Sequence, residues 1–253
     1  MKKITTLVVA FVLLTVFTGI VLAQQAYNDS FFATYTAAKK TKLAKDCRPC
    51  HFKTDGSGER NAYGVEYEND GEIDDDFEGI EKDDADGDGY TNFDEISKGF
   101  WPGDFIDHPS PKKFSKCVTF IGTKDSFKKG PVMYCIVNGA KFDMTKQGGA
   151  CYIKGGKMMA PLRVGIEQLG GTVKYDSKEK RIDIYKGSTL VGKMWVGKKI
   201  GQIPPGKDYD LVTAPEIKAG TSSTFVPVKA VGVALNADFL YVARGKLAHF
   251  RFK

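Results

Sequence analysis

Met159-Ala160-Pro161-Leu162-Arg163-Val164-Gly165-Ile166-Glu167-Gln168-Leu169-Gly170 returns sixty-six residues later as Phe225-Val226-Pro227-Val228-Lys229-Ala230-Val231-Gly232-Val233-Ala234-Leu235-Asn236. Each copy is expected to open a short helix with its proline, which suits the first helical position. Each ends in a residue that tolerates a left-handed cap, Gly170 or Asn236. Leu162, Ile166 and Leu169 share one helical face, and Val228, Val231 and Leu235 repeat it. Strand-like runs follow both copies, at Thr172–Tyr175 and Arg181–Tyr185, then at Phe239–Val242 and Ala248–Phe252. Leu190–Val196 continues the pattern. Upstream, Val132–Val137 and Ala140–Met144 flank Asn138-Gly139, the signature of a hairpin with a type I′ turn. The second half of the chain is therefore a duplicated, strand-rich α+β unit, residues 131–253.

Moving outward, the charge changes sign. Residues 24–110 carry nine Lys/Arg against 21 Asp/Glu, and residues 111–253 carry 26 against ten. An acidic module (24–110) is expected to precede the basic one, joined by a linker at 111–130. The basic half suits anionic cell-wall polymers or the acidic modules of neighbouring molecules. Before both modules, Met1-Lys2-Lys3 and an apolar run from Ile4 to Ala23 read as a signal peptide, residues 1–23. An uncleaved run of that length would serve as a membrane anchor. The expected location is secreted or extracytoplasmic, at the cell envelope or surface. Export, and the lack of aromatic–basic clusters, argue against nucleic acid as a partner.

Within the acidic module, Asp46-Cys47-Arg48-Pro49-Cys50-His51 contains C-x-x-C-H, the attachment signature of c-type haem. Two thiols must reach two vinyl groups on one porphyrin edge, and the adjacent imidazole must reach the iron. Ser30 to Lys45 is expected to be helical, with Phe31, Phe32, Tyr35 and Leu43 available to cover the ring. The bland alternatives are a Cys47–Cys50 disulfide or half a zinc site. The module has no further cysteine and only His108 as a further histidine, so a four-ligand zinc site lacks partners. A thioredoxin-like dithiol would require a βαβ setting that the flanks do not supply. One covalent haem c is the expectation, with His51 and His108 as axial ligands. Competitors for the second position are an open site, His249, or a methionine among Met133, Met144, Met158, Met159 and Met194.

Further on, Asp84-Ala85-Asp86-Gly87-Asp88-Gly89-Tyr90-Thr91-Asn92-Phe93-Asp94-Glu95 matches the twelve-residue D-x-D-x-D-G…E calcium loop. Asp84, Asp86 and Asp88 would supply carboxylates, Tyr90 its carbonyl, Asn92 a ligand directly or through water, and Glu95 a bidentate carboxylate. Thr91 stands where paired EF-hands place an aliphatic residue. A solitary, structural calcium site is expected, rather than a sensor.

The order Cys47-Arg48-Pro49-Cys50-His51, Gly56-Ser57-Gly58-Glu59-Arg60-Asn61-Ala62-Tyr63-Gly64, calcium loop and Pro102-Gly103-Asp104 resembles a group of exported bacterial proteins. These pair one haem motif with an R-N-x-Y-G segment and a thrombospondin type-3-like calcium loop. The resemblance spans roughly residues 45–105 and implies a small, mainly α domain that binds haem and transfers electrons. Arg60 is either a partner for a haem propionate or an ordinary surface charge. The duplicated unit, with Val137-Asn138-Gly139, Met159…Gly170 and Val173-Lys174-Tyr175-Asp176 as its carriers, resembles the copper amine oxidase N-terminal-like domain. That resemblance implies a non-catalytic appendage. Amine oxidation needs three histidine ligands to copper and a tyrosine-derived quinone, and this chain has three histidines, one of them in the haem motif.

No enzyme activity is expected. Instead the chain is expected to carry single electrons to redox partner proteins or extracellular acceptors, held at the envelope by the basic module. The alternatives are a structural or adhesive surface protein with a structural haem, and a haem sensor or enzyme with an open iron site. His249 is expected at the surface, on an alternating last strand. Of Cys117, Cys135 and Cys151, the favoured disulfide pair is Cys135 with Cys151.

Overall fold

The structure, a computed structural model, describes residues 27–70, 77–122, 131–218 and 223–253. The expected signal peptide lies outside the described residues, as does 123–130 of the expected linker. None of the described helices is long and apolar enough to cross a membrane. The chain is α+β, with antiparallel sheets and few, short helices.

The duplication is built around one strand pair. β5 (Lys157–Pro161) and β12 (Ser223–Pro227) run antiparallel, and Ala160 faces Val226, its own counterpart in the second copy. Met159 faces Pro227 and Pro161 faces Phe225, so the copies are related by a local twofold axis at this pair. Each proline closes its strand, one residue earlier than expected. The helices α4 (Leu162–Glu167) and α5 (Val228–Ala234) start just after the prolines, whose missing N–H costs nothing at a helix entrance. Gly170 (φ 83°) and Asn236 (φ 59°) then turn the chain in the left-handed region. Each helix is followed by a hairpin, β6–β7 (Thr172–Asp176, Arg181–Lys186) or β13–β14 (Asp238–Val242, Leu247–Phe252). Ile166, Leu169, Val228, Val231 and Leu235 share one core, as the periodicity requires.

With β1 (Lys116–Ile121), β2 (Tyr134–Val137), β3 (Ala140–Asp143), β4 (Tyr152–Lys154), β8 (Thr189–Trp195), β9 (Ile200–Gln202), β10 (Asp208–Asp210) and β11 (Glu216–Lys218), the strands form three sheets, ordered β13-β14-β1-β2-β3, β10-β9-β8-β7-β6 and β11-β12-β5-β4. The hairpin β2–β3 (Tyr134–Val137, Ala140–Asp143) turns through Asn138 (φ 50°) and Gly139 (φ 78°), the left-handed pair of a type I′ turn. On α5, Gly232 meets β14 without a gap, since a Cβ there would lie 2.2 Å from Phe250 Cε1. Gly232→Ala is expected to destabilise the chain by about 1–3 kcal/mol through overpacking. Thermal denaturation followed by circular dichroism measures this, and an unchanged Tm would refute it.

The linker is where the sequence reading fails. Lys116–Ile121 is β1, the middle strand of the first sheet, paired over six residues with β14 and also with β2. Residues 117–121 are all buried, because the sheet is covered on both faces. Val118 and Phe120 join the core of the duplicated unit, whereas Ile121 joins that of the acidic module. Strands buried on both faces lose the alternation that marks a half-exposed strand.

The two modules accordingly share a core. Ile121, Val132, Tyr134, Ile136, Val242 and Leu247 of the sheet pack with Phe31, Phe77 and Ile80 of the acidic module. Asn69 Nδ2 donates to Gly245 O (2.6 Å), and Tyr134 Oη donates to Arg60 O (2.7 Å). Arg251 pairs with Asp84 (3.3 Å) and Lys141 with Glu59 (2.7 Å). Part of the acid–base polarity is therefore spent within one chain, where the sequence reading assigned it to polymers or to other molecules.

His249 also departs from expectation. It is fully buried on β14, with Nδ1 2.9 Å from Thr119 Oγ1. Burial and the nearby Arg251 charge push its pKa down to about 3, so the imidazole is neutral at physiological pH. The alternation that suggested exposure fails because β14 lies between β13 and β1 in a covered sheet.

Candidate functional site

The acidic module opens with a helical segment over 27–34, followed by 3-10 turns at Thr36–Lys40 and Lys42–Lys45. The continuous helix expected from Ser30 to Lys45 is broken into these pieces. The C-x-x-C-H segment then folds as a tight turn. Cys50 N and His51 N both donate to Cys47 O (3.2 and 3.0 Å), and Cys47 N donates to Thr54 O (3.0 Å). Arg48 grips Asp46 through Nε and Nη2 (2.9 and 2.7 Å) and stacks on Trp101, 3.8 Å from the ring centre.

This turn brings Cys47, Cys50 and His51 to one cleft, partly open to solvent. Phe31, Tyr67 and Phe77 also line it. Tyr67 and Phe77 are stacked (centroids 4.4 Å, interplanar 10°), and Phe31 meets Phe77 edge-on at 5.3 Å. A concave, mainly apolar cleft with a few convergent polar groups is the usual form of a cofactor site. Burial pushes the Cys50 thiol up to about 12 and raises Cys47 as well. Both thiols therefore stay protonated near neutral pH. Two thiols and an imidazole on an aromatic-walled cleft fit a porphyrin attached through its vinyl edge. Of the helix residues expected to cover the ring, Phe31 lines this cleft; Phe32, Tyr35 and Leu43 are buried in the module's core and are not among its lining residues.

His108, expected as the second axial ligand, lies away from the His51 cleft. His108 stacks on Tyr90 of the acidic loop (6.5 Å, 10°), with Nδ1 2.7 Å from Pro109 O. It is not among the residues lining the His51 cleft. Met144, Met158, Met159 and Met194 are buried in the duplicated unit, and Met133 lines a different cleft. Among the described residues, the His51 cleft contains no second histidine and no methionine. Arg60 lines it and pairs with Glu68.

The acidic loop assembles as a group. One ligand oxygen each from Asp84, Asp86 and Asp88 lies within 4.8 Å of the others. Gly89 (φ 99°) makes the sharp turn, and Gly87 N and Gly89 N donate to Asp84 (2.8 and 2.9 Å). Asp86, Asp88 and Glu95 are 3%, 2% and 0% exposed. One oxygen each of Asp86 and Asp88, and both of Glu95, lack any hydrogen-bond partner. Burial pushes Asp84 up to about 6 and Asp88 up to about 7, and raises Asp86 and Glu95 well above the usual carboxylate range. Buried, unpaired carboxylates of this kind are sustained by a cation. The donors are hard oxygens, as calcium prefers.

Asn92 is a correction within this set. Its Nδ2 donates to Ile80 O (2.7 Å) and Glu66 Oε2 (3.1 Å), and its Oδ1 accepts from Ala85 N (3.1 Å). The carboxamide is engaged with the scaffold, which leaves Asp84, Asp86, Asp88, the Tyr90 carbonyl and Glu95 as the candidate ligands. Thr91, odd for a paired EF-hand, caps α3 (Asn92–Lys98) by accepting from Asp94 N (3.1 Å).

All five cysteines are without disulfide bridges in the structure. Cys135 and Cys151 share one core, and a charge on Cys135 would raise the Cys151 pKa. The favoured Cys135–Cys151 bridge is not formed, and both thiols are buried. Cys117 instead lies beside Thr119 and His249.

Fold and site together define an α+β protein in which a cysteine–histidine cleft and an acidic loop are mounted on a duplicated antiparallel unit. Residues 136–246 match the copper amine oxidase N-terminal domain family. No curated protein and no solved structure matches the chain.

Proposed function

We propose that this chain is an exported c-type cytochrome that carries single electrons at the cell envelope. One haem is attached through Cys47 and Cys50, with His51 on the iron, and calcium is held by the Asp84–Glu95 loop. The observation that carries this reading is the convergence of both thiols and the imidazole on one aromatic-walled cleft. Haem would supply the reversible one-electron centre. Cys47 and Cys50 would hold it covalently, His51 would ligate its iron, and Phe31, Tyr67 and Phe77 would supply an apolar wall beside it. The duplicated unit carries no catalytic constellation in this reading and backs the haem module with its β13-β14-β1-β2-β3 sheet. Redox partner proteins or extracellular acceptors remain the partners of this reading, as does an anionic wall polymer for the free basic surface.

The test is a redox-titrated visible spectrum with intact mass, on full-length protein made with the haem attachment machinery. One haem of added mass and a reversible Soret shift are expected. A colourless chain of polypeptide mass would refute the reading. A second reading has one observation in its favour, the lack of a second histidine or methionine among the described cleft residues. An open iron site would suit a sensor or haem enzyme. Tight carbon monoxide binding by the ferrous protein selects it, and a six-coordinate low-spin spectrum rejects it.

A further inference from the structure

Asn61 stands between the haem motif and helix α2 (Ala62–Asp70), and its two ends perform different tasks. Its Oδ1 accepts from Gly64 N (3.0 Å), capping α2 in the manner of an N-terminal asparagine. Its Nδ2 donates to Arg48 O (2.7 Å) and Pro49 O (3.1 Å), the carbonyls between the two cysteines. Its backbone N–H donates to Cys50 O (3.0 Å). Asn61 is 3% exposed. Aspartate, serine or threonine could cap the helix, but none of these supplies both donors to the turn.

Two glycines are shaped around this contact. A Cβ on Gly103 would fall 2.4 Å from Asn61 Oδ1, and a Cβ on Gly64 would fall 2.1 Å from Cys50 O. Neither glycine has a positive φ, so close approach, rather than backbone freedom, is what requires them. The haem motif, the R-N-x-Y-G segment and the Pro102-Gly103-Asp104 segment thus meet at one carboxamide.

We propose that Asn61 is the positioning residue of the haem attachment turn, its carboxamide holding Cys47, Cys50 and His51 in the shape that presents all three to the cleft. The proposal rests on the haem reading above and adds a residue that acts through the turn without touching the porphyrin. Removing the donors frees the Arg48 and Pro49 carbonyls and leaves the spacing of the two thiols and the direction of the imidazole to the backbone bonds alone.

The test uses the full-length chain, made with the attachment machinery, as wild type, Asn61→Ser, Gly103→Ala, the double variant and Asn69→Ala. Serine keeps the helix cap and removes the clamp. Gly103→Ala leaves Asn61 in place and displaces its carboxamide. Asn69, also on α2 and fully buried, donates to Gly245 O in the duplicated unit, so it controls for losing a buried asparagine. Covalent haem per chain is read by intact mass, the potential by redox titration and folding by circular dichroism.

Asn61→Ser and Gly103→Ala are each expected to lose most of the covalent haem and to shift the potential of what remains. Asn69→Ala is expected to do neither. In the double variant the added methyl occupies the space left by the lost carboxamide, so its loss should be no greater than that of Asn61→Ser alone. Full loading with an unchanged potential in folded Asn61→Ser overturns the proposal and leaves the haem reading intact. An Asn61→Ser chain that does not fold assigns Asn61 to the general core and also overturns it. A wild-type chain without haem overturns both.

Discussion

With Cys47 and Cys50 both replaced by serine, the exported chain is expected to lose all covalent haem and its Soret band while retaining its fold. The Cys47–His51 turn is held by backbone bonds to Cys47 O and Thr54 O and by the Asn61 clamp, none of which needs a thiol. The cleft's aromatic wall is likewise set by Tyr67 stacking on Phe77. Intact mass and circular dichroism check the two halves of this result. Haem retained by the double-serine chain after acid–organic extraction would sink the thioether assignment. His51→Ala should behave differently, because its thiols remain. It is expected to keep covalent haem but with an altered ligand-field spectrum.

Calcium removal should produce the other large effect. Two like charges about 5 Å apart repel by about 3 kcal/mol at an effective dielectric near 20, and Asp84, Asp86 and Asp88 are that close. Chelation should therefore lower stability by several kcal/mol, and the Tm by about 10 °C at roughly 2–4 °C per kcal/mol for a chain of this size. The effect should reach beyond the loop. Asp84 also pairs with Arg251, and a Cβ on Gly87 would meet Cys117 Sγ at 2.6 Å, so the loop sits directly on the β1–β14 surface. Calorimetry with and without chelator measures this. Equal transitions in both would show that no cation is held there.

The same loop sets a pH dependence of definite sign. In the metal-free fold Asp84 and Asp88 have pKa values of about 6 and about 7, above the ordinary 3.8. Between roughly pH 4 and 7 the folded state then binds more protons than the unfolded state, so stability rises as the pH falls. In saturating calcium the trend should reverse, since protons compete with the cation for the same oxygens. Parallel denaturation curves over this range test the crossing. A metal-free chain that weakens on acidification would contradict it.

Local chemistry was legible in the sequence wherever spacing along the chain determines it. The C-x-x-C-H turn, the D-x-D-x-D-G loop with Glu95, the Asn138-Gly139 hairpin and the sixty-six-residue repeat are all set by neighbouring residues. What failed depends on the environment that distant segments create. Lys116–Ile121 looked like a linker because a strand covered on both faces has no alternation to detect. His249 looked exposed for the converse reason, since alternation on β14 does not mark solvent once the second face is covered. Asn92 sits at a ligand position by count, but Glu66 and Ile80, brought in by α2 and the turn before the loop, draw its carboxamide inward. His108 was selected by elimination, and packing against Tyr90 places it beside the acidic loop.

By itself, then, the sequence determined the C-x-x-C-H turn, the carboxylate loop and the duplicated α+β unit, because each is specified by contacts within a short stretch. Only the tertiary structure decided that the modules share a core, that part of their opposite charge is met internally, and that Asn61 ties three separate motifs together. Those outcomes depend on which surfaces are removed from water together, and that is a property of the packed chain.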